Sequence, residues 1–397
     1  MSAVRLSVAV MAHPSRSAAA GRLIESLDGV PRLVLDPAAG DPPHTLRTAI
    51  EAWDARPAGA THHLVLQDDV VPAAGFLSAV EAAAARLPDA VLAFYAHWNA
   101  WNGATTRLAV RCGRAWSEMV PLEYVPTVAL LLPAALAGEF VSFARRRQAQ
   151  HLPDDHAMAA LVRARRPPAY VAAPNLVDHD NPPSLVGNSV QGPRHSPCML
   201  PSCEVHARST GILRLRDIKA VPVLVRGEPL ALVQHAPGRW GRTHWQHARL
   251  DLDLREPLLW RTYARARAGL PGDVRSLFAG FHERLLSSVW IAAYLDGAIA
   301  AGLGGRPVSA EAAHRATECL VLSGLMHCLP QPDIDRRLAA LARFAAAGTA
   351  AGGRDVSTAA PDRPEAGSAL PESFRLSESM TVRTEGTASA PDAWPLS

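Results

Sequence analysis

The sequence of 397 residues has almost no lysine: Lys219 is the only one, so nearly all of the basic charge is arginine. The formal net charge is only +3 at pH 7. No dense basic stripe interleaved with aromatic side chains occurs, although nucleic-acid-binding proteins commonly carry one. The arginine skew, beside abundant alanine, proline and glycine, indicates codon bias. The composition therefore predicts no nucleic-acid partner.

Cysteine is also scarce, with five residues in the whole chain. An odd number in a long sequence is not typical of a disulfide framework and favours a reducing cytoplasmic location. Cys112, Cys319 and Cys328 are predicted to be small buried apolar residues. The first ten residues lack the apolar core and cleavage site of a signal peptide, and they are interpreted as a strand.

Uninterrupted apolar runs of membrane-spanning length are missing. The most apolar stretches are 125–140, which contains Pro133 and Glu139, and 287–303, which contains Asp296. A spanning helix needs about 20 predominantly apolar residues. The sequence therefore predicts no transmembrane segment.

The first 190 residues alternate between strand-like and helix-like segments. This alternation predicts an α/β fold with a mostly parallel mixed sheet flanked by helices. The predicted strands are 6–11, 32–35, 62–66, 90–95, 125–132 and 170–173, and the predicted helices are 18–27, 45–53, 76–87, 133–146 and 156–165.

The rest of the chain divides into three further parts by composition. A loop-rich connecting segment contains a predicted hairpin that turns at Arg226–Gly227, and an α-helical subdomain follows it, with a helix predicted over 274–300. The tail has no apolar periodicity and is predicted to be disordered. The predicted boundaries are 1–190 for the α/β domain, 191–255 for the connecting segment, 256–347 for the helical subdomain and 348–397 for the tail.

The most informative motif is Gln67-Asp68-Asp69, which directly follows the apolar run 64–66. Adjacent carboxylates at the end of a buried strand are costly unless a cation meets them. Ligands bind at the carboxyl ends of strands in α/β proteins, so a divalent metal carrying a phosphate group is the chemical candidate. A solvated turn is the alternative, because Asp and Pro are common turn residues.

The order of these elements resembles the GT-A fold of nucleotide-sugar glycosyltransferases over residues 4–190. A first strand ends in a polar loop, an apolar strand ends in the acidic motif, Asp154-Asp155 begins a helix, and a last strand ends at His179. Residues 64–72 look like the acidic motif of the collagen and lipooligosaccharide glycosyltransferases. Here Gln67 stands at the first acidic position of that motif.

The resemblance implies a Rossmann-like, metal-dependent hexosyltransferase-type enzyme. Its substrates would be a nucleotide sugar, with UDP as the expected nucleotide, and an unknown hydroxyl acceptor. Asp69 and His179 would hold Mn²⁺, which suits mixed carboxylate and imidazole ligands better than Mg²⁺ does. Asp68 would contact ribose or sugar hydroxyls. A turn histidine between Asp178 and Asp180 is the alternative for His179.

The loop after the first strand lies where such enzymes receive the nucleotide. His13, Ser15 and Arg16 are predicted to contact its base, ribose or phosphate. A helix cap at Ser15 or Ser17 is the alternative and is compatible with ligand contact. The strand is followed by no dinucleotide-type or Walker-type glycine loop, which argues against those enzyme classes.

Asp155 occupies the position of the general base in inverting members of the fold. A carboxylate within hydrogen-bond reach of the acceptor hydroxyl can remove its proton as it attacks. The alternative is that Asp154 and Asp155 only cap the helix that follows.

An aromatic loop offers a candidate substrate platform. Trp98, Trp101 and Asn102 follow a predicted strand, and indole faces stack on sugar rings while amides bind hydroxyls. Core packing of the tryptophans is the alternative.

Four potential zinc ligands form a compact set: His195, Cys198, Cys203 and His206. Two histidines and two cysteines can close a structural tetrahedral Zn²⁺ site, although the spacing matches no common finger. An alternative function follows, a non-catalytic α/β protein that binds carbohydrate or a partner, with zinc as a staple. The sequence gives no indication of oligomeric state.

Overall fold

The computed structural model describes residues 3–38, 40–41, 44–121, 123–147, 152–185, 192–236, 239–279 and 281–357. Its main element is an eight-stranded mixed sheet with helices on both faces, followed by a helical region. The predicted α/β class is therefore confirmed. The predicted disordered tail from 358 onward lies outside the described residues.

The α/β part contains ten strands and seven helices. The strands are β1 Leu6–Ala12, β2 Arg32–Leu35, β3 His62–Gln67, β4 Val70–Pro72, β5 Val91–Ala93, β6 Trp116–Glu118, β7 Ala129–Pro133, β8 Ala169–Ala172, β9 Val177–His179 and β10 Ile212–Leu213. The helices are α1 Ser17–Ser26, α2 Thr45–Asp54, α3 Phe76–Arg86, α4 Trp101–Arg111, α5 Ala134–Arg145, α6 Asp154–Arg165 and α7 Glu204–Arg208.

The strand order in the main sheet is β10-β6-β8-β5-β7-β3-β1-β2. β1 pairs in parallel with β2 and β3, whereas β7 runs antiparallel between β3 and β5. β4 and β9 form a separate antiparallel ribbon. Because β10 joins the main sheet, the α/β unit extends beyond the boundary predicted at residue 190.

Alternate residues of the strands enter two different cores. Val8 and Val10 pack with α1 and α3 on one face, whereas Ala9 and Met11 pack with α2, α5 and α6 on the other. Side chains alternate between the two faces of a strand, so a sheet covered on both faces needs nearly continuous apolar strands. This requirement explains the apolar strand segments of the sequence.

A second sheet follows the α/β part. It consists of β11 Ala220–Val225, β12 Glu228–Ala236 and β13 Arg239–His244, paired antiparallel in that order. The predicted hairpin is confirmed, and its turn residues Arg226 and Gly227 both have positive φ, at 49° and 78°. Two such residues are typical of a two-residue hairpin loop. The sequence pattern did not predict the third strand.

Six helices complete the described chain. They are α8 Trp245–Asp251, α9 Glu256–Ala268, α10 Gly272–Leu277, α11 Glu283–Gly302, α12 Ala310–Leu325 and α13 Gln331–Ser357. The single helix predicted over 274–300 is wrong, because α10 ends before α11 begins. Residues 348–357, predicted as tail, continue α13. α11 is long and apolar enough to cross a membrane by length and composition, but 83% of its most apolar stretch is buried, as in the core helix of a soluble protein.

Candidate functional site

The acidic motif and the first loop lie at one edge of the main sheet. β1 and β3 are parallel neighbours, so the loop after Ala12 and the carboxylates after Gln67 leave the sheet on the same side. In the adjoining ribbon, Val70 of β4 pairs with His179 of β9. This register places His179 beside Asp69 although the two residues are far apart in the sequence.

Asp69 and His179 form the centre of the site. Nε2 of His179 lies 3.0 Å from Oδ2 of Asp69, and the two side chains are 0% and 6% exposed. The distance is short, yet the His179 Nε2 atom makes no aligned hydrogen bond among the described residues. Oδ1 of Asp69 is also buried without a partner there. Two buried polar atoms thus lack the partners that such atoms normally have.

Arg16 supplies positive charge to both carboxylates. Its Nη1 lies 3.3 Å from Oδ1 of Asp68 and 3.5 Å from Oδ2 of Asp69, and its Nη2 donates to the Pro183 carbonyl. Burial, followed by the neighbouring charge of Asp69, raises the pKa of Asp68 to about 6. Burial alone would raise the pKa of Asp69 as well, but His179 and the nearby arginines lower it.

The predicted nucleotide loop is a short 3₁₀ turn over Pro14–Arg16. His13 caps it, since its Nδ1 accepts from the Ser15 backbone N–H at 3.2 Å and lies 2.8 Å from the Ser15 hydroxyl. The helix that follows, α1, has Arg16 as its N-cap and no side-chain capping bond, so the alternative of a helix cap at Ser15 or Ser17 is wrong. Of the three predicted loop residues, Arg16 reaches the acidic pair.

An open cavity of about 490 Å³ adjoins the acidic pair. It lies between α1 and α3, and Asp68, Asp69 and Asp180 form part of its wall. Binding sites for small molecules commonly have volumes of about 300–1,000 Å³. The carboxylates are therefore next to a space that can hold a small ligand.

No protein-family model matches this chain, and no curated protein matches it either. The case for a function consequently rests on the residues and geometry of the site.

Arg194 belongs to this site, although the sequence did not single it out. Its charge lowers the pKa of Asp69, and with burial as the larger cause it also lowers the pKa of His97, to about 3. The described residues include no ion-pair partner for its guanidinium. Its backbone is fixed on both sides, because its N–H donates to Asn181 Oδ1 at 2.5 Å and its carbonyl accepts from the Tyr95 hydroxyl at 2.6 Å.

Asp155 lies in the first turn of α6, where it accepts a hydrogen bond from the His156 N–H at 2.7 Å. The N-cap is Pro153, so neither Asp154 nor Asp155 makes the predicted capping bond. Burial, and then the charge of Asp154, raises the pKa of Asp155 to about 7. α6 leads into β8, which pairs in parallel with β5, so the first turn of α6 lies toward the carboxyl ends of these strands.

Two residues of the predicted substrate platform are in the protein core. Asn102 is fully buried, and its Oδ1 accepts from the Val120 N–H at 2.9 Å. Trp98 is 4% exposed and packs in the core around α4. Trp101 is partly exposed, and the Arg242 guanidinium lies 5.9 Å from its ring centroid. The interpretation as a platform is therefore wrong for Trp98 and Asn102.

The four predicted zinc ligands do not come together. Within the described chain, no group of three or more His, Cys, Asp and Glu side chains could hold a metal ion. Nδ1 of His195 lies 3.0 Å from Asp178, and His206 packs edge-on against Trp116. Cys203 and Cys198 belong to different cores. The zinc prediction is wrong because the intervening loop separates the ligands.

Proposed function

We propose that this protein is a metal-dependent glycosyltransferase that transfers a sugar from a nucleotide donor, with UDP as the expected nucleotide, to a hydroxyl acceptor. The observation that carries the proposal is the pair of buried, unpartnered atoms, Oδ1 of Asp69 and Nε2 of His179, beside a cavity at the carboxyl edge of the sheet. Ligands of open α/β sheets bind at this edge.

Asp69 and His179 fit two neighbouring ligands of a divalent cation in their chemistry and separation. Because the described residues contain no group of three such side chains, water and the nucleotide phosphates would have to supply the other ligands. Two neighbouring ligands of an octahedral cation at about 2.1 Å lie roughly 3 Å apart, and Oδ2 of Asp69 and Nε2 of His179 are 3.0 Å apart. The His179 Nδ1 accepts from the Asn181 N–H at 2.9 Å, which leaves the ring proton on Nε2. Cation binding at Nε2 therefore requires this proton to leave and the Asn181 bond to be exchanged.

Each charged group has a role in this proposal. Asp69 and His179 would hold Mn²⁺ or Mg²⁺, and Asp68 would accept hydrogen bonds from ribose or sugar hydroxyls. A bound cation stabilises negative charge on the leaving nucleotide diphosphate. Arg16 and Arg194 would bind the phosphate oxygens from the protein side, because guanidinium groups match phosphate geometry.

Arg194 gives a prediction that is specific to phosphate binding. Replacement by alanine is expected to raise the Kd for UDP about tenfold or more, because a charge-assisted hydrogen bond contributes about 1.5–3 kcal/mol. Replacement by lysine keeps the charge and should recover part of the affinity. Calorimetric titration of both variants, with the exposed Arg208→Ala as the control, checks this. Equal Kd values for UDP in Arg194→Ala and Arg208→Ala would contradict the role of Arg194 in phosphate binding.

Asp155 is proposed as the general base that removes the proton of the acceptor hydroxyl. A base must be ionised, and the pKa of this carboxyl is about 7. We expect kcat/KM to rise about tenfold per pH unit below pH 7 and to level off above it. The profile is measured on hydrolysis of the donor sugar, with water as the acceptor. A rate that is flat between pH 5 and about 8 would exclude Asp155 as the base.

A non-catalytic carbohydrate- or partner-binding protein is the second candidate. The contacts of Arg16 favour it, because they give Asp68 and Asp69 a positive partner without any metal. The structural zinc ion expected for this candidate has no binding site among the residues that the structure describes.

One titration distinguishes the two candidates. The purified full chain is titrated with UDP, GDP and other nucleotides, with and without Mn²⁺, by calorimetry. The transferase predicts nucleotide binding that depends on the metal, and slow hydrolysis of one member of a panel of nucleotide sugars. Absence of nucleotide binding under every metal condition would exclude the transferase and leave the binding protein.

A further inference from the structure

Arg16 contacts both carboxylates of the acidic motif with one nitrogen of its guanidinium. Its Nη1 lies 3.3 Å from Oδ1 of Asp68 and 3.5 Å from Oδ2 of Asp69, and its side chain is only 17% exposed. The carboxylate side chains of Asp68 and Asp69 are 9% and 6% exposed. Charges that are removed from water to this extent need an opposite charge nearby. Arg16 is therefore the counter-ion of both carboxylates.

Other contacts hold Arg16 in this position. Its backbone N–H donates to the His13 carbonyl at 2.8 Å, within the 3₁₀ turn that follows β1. Its Nη2 donates to the carbonyl of Pro183, in the segment after β9. The guanidinium thus connects the loop after β1, the acidic motif and the segment after β9. These three segments surround the proposed metal and phosphate site.

A cation bound by Asp69 would lie close to this guanidinium. Oδ2 of Asp69 is 3.5 Å from Nη1 of Arg16 and 3.0 Å from Nε2 of His179, so the same oxygen faces both groups. Because both positive groups contact this oxygen, Nη1 could lie no farther than about 6 Å from a cation held there at about 2.1 Å. Like charges at this distance repel each other. Arg16 and a divalent cation therefore compete for Asp69.

Few protein ligands are available to compensate for this repulsion. In the described parts of the chain, no group of three His, Cys, Asp and Glu side chains could hold a metal ion, so Asp69 and His179 have no third protein ligand of these types. Cations such as Mg²⁺ commonly bind water and substrate phosphates in addition to one or two carboxylates. Phosphate oxygens also bind guanidinium groups well. A nucleotide diphosphate would therefore supply both further ligands for the cation and a new partner for Arg16.

We propose that Arg16 makes the cation and the nucleotide bind together: its guanidinium pairs with Asp68 and Asp69 in the ligand-free protein and moves to the phosphates when the cation binds the carboxylates. The inference rests on the proposed function and adds a coupling between the two ligands of that site. Arg16 is a positioning residue in this exchange. Because coupling between ligands is reciprocal, Mn²⁺ and UDP should each raise the affinity for the other by the same factor.

Opposite effects on the two ligands distinguish this exchange from a structural role. Arg16→Gln removes the charge but keeps hydrogen-bond donors. Its Kd for Mn²⁺ alone should fall about tenfold, because the competing charge is gone, and its Kd for UDP with Mn²⁺ should rise about tenfold, because a charge-assisted bond to phosphate is lost. Arg16→Lys keeps the charge and should resemble the parent with Mn²⁺ alone. A variant with a damaged site would bind both ligands more weakly.

Binding of Mn²⁺ alone is measured by the loss of the electron paramagnetic resonance signal of free Mn²⁺, and UDP binding by calorimetry with and without Mn²⁺. Arg22→Ala is the matched control, because Arg22 is an exposed residue of the same cavity wall and the structure records no contact of its side chain with Asp68 or Asp69. Its Kd values should match those of the parent. Thermal unfolding shows that each variant is folded, and Mn²⁺ should raise the Tm of Arg16→Gln more than that of the parent.

Two results would overturn the proposal. The first is that Arg16→Gln binds Mn²⁺ alone no more tightly than the parent does. The second is that Mn²⁺ raises the affinity for UDP by the same factor in Arg16→Gln and in the parent. Both results leave the proposed transferase intact if the parent binds UDP with Mn²⁺. A parent that binds no nucleotide under any metal condition would refute the transferase and the coupling together.

Discussion

Asp69→Asn is expected to weaken Mn²⁺-dependent UDP binding at least about 100-fold, since even residues that only support a metal ligand commonly contribute 10–100-fold to affinity. Asparagine keeps the size of the side chain and one oxygen but removes the negative charge. The site buries this carboxylate beside His179 and leaves its Oδ1 without a partner among the described residues. Titration of the variant with UDP, with and without Mn²⁺, measures the effect.

Asp180→Asn is the matched control for this variant. Asp180 lies in the same cavity wall, but its side chain makes no contact with His179 or Arg16 that the structure records. The Asp180→Asn variant should therefore bind UDP and Mn²⁺ with Kd values within about threefold of those of the parent protein. Comparable losses in both variants would mean that the cavity needs general negative charge, and unchanged binding in Asp69→Asn would exclude Asp69 as the metal ligand.

Metal-free titrations of Asp69→Asn give a further distinction. If UDP binds through Arg16 and Arg194 alone, then Asp69→Asn should bind metal-free UDP at least as well as the parent, because the substitution removes a negative charge beside the phosphate site. If the cation is essential, the parent and Asp69→Asn should bind UDP equally weakly in its absence. The two outcomes separate the roles of the guanidinium groups from that of the metal.

The site was predictable where it depends on strand ends. The apolar run ending in Gln67-Asp68-Asp69 predicted β3, and the parallel pairing of β1 with β3 brings the loop after β1 and the two carboxylates to one edge. The strand predicted over 170–173 is β8, and β9, which carries His179 in an antiparallel ribbon with β4, was not predicted as a separate strand. The contact between Asp69 and His179 follows from the register of Val70 with His179. Arg194 could not be found in this way, because side chains from elsewhere in the chain, Asn181 and Tyr95, position it.

The aromatic loop shows why local composition misled. Trp98, Trp101 and Asn102 look like a polar aromatic loop, but every residue of α4 after Trp101 is buried. Glu123 accepts from the backbone N–H groups of Trp101 and Asn102, both at 2.6 Å, so a carboxylate caps the helix from a distant loop. The first N–H groups of a helix usually donate to the side chain of the adjacent N-cap residue. When a residue distant in sequence accepts these hydrogen bonds instead, the sequence next to the helix contains no capping residue from which the helix start could be predicted.

Strand β13 was missed for a related reason. Its residues include Arg239, Arg242 and His244, and only Trp240 is fully buried. A strand at the edge of a small sheet can be polar along much of its length, because one side of it faces solvent. Periodicity is weak in such a strand, and pairing with β12 decides its conformation.

Asp296→Ala is expected to lower the free energy of unfolding by about 3–5 kcal/mol, the usual cost of leaving a buried ion-pair partner alone. Asp296 in α11 accepts from Nε of Arg111 in α4, and the two side chains are 6% and 7% exposed. Arg111 also donates to the Thr317 hydroxyl at 2.8 Å. Urea unfolding of the variant, with the exposed Asp251→Ala as the control, measures the difference.

The reason for this large effect is the charge that remains. In Asp296→Ala the Arg111 guanidinium stays in the core without an anion, whereas Asp296→Leu combined with Arg111→Met removes both charges and should recover most of the stability. If the single and double variants are equally unstable, packing rather than charge determines the loss. Asp296 also interrupts the apolar run 287–303 in the sequence, and its contact with Arg111 explains why α11 carries a carboxylate at its centre. The ion pair connects the α/β sheet region to the helical region, so its removal should weaken the junction between them before either core unfolds.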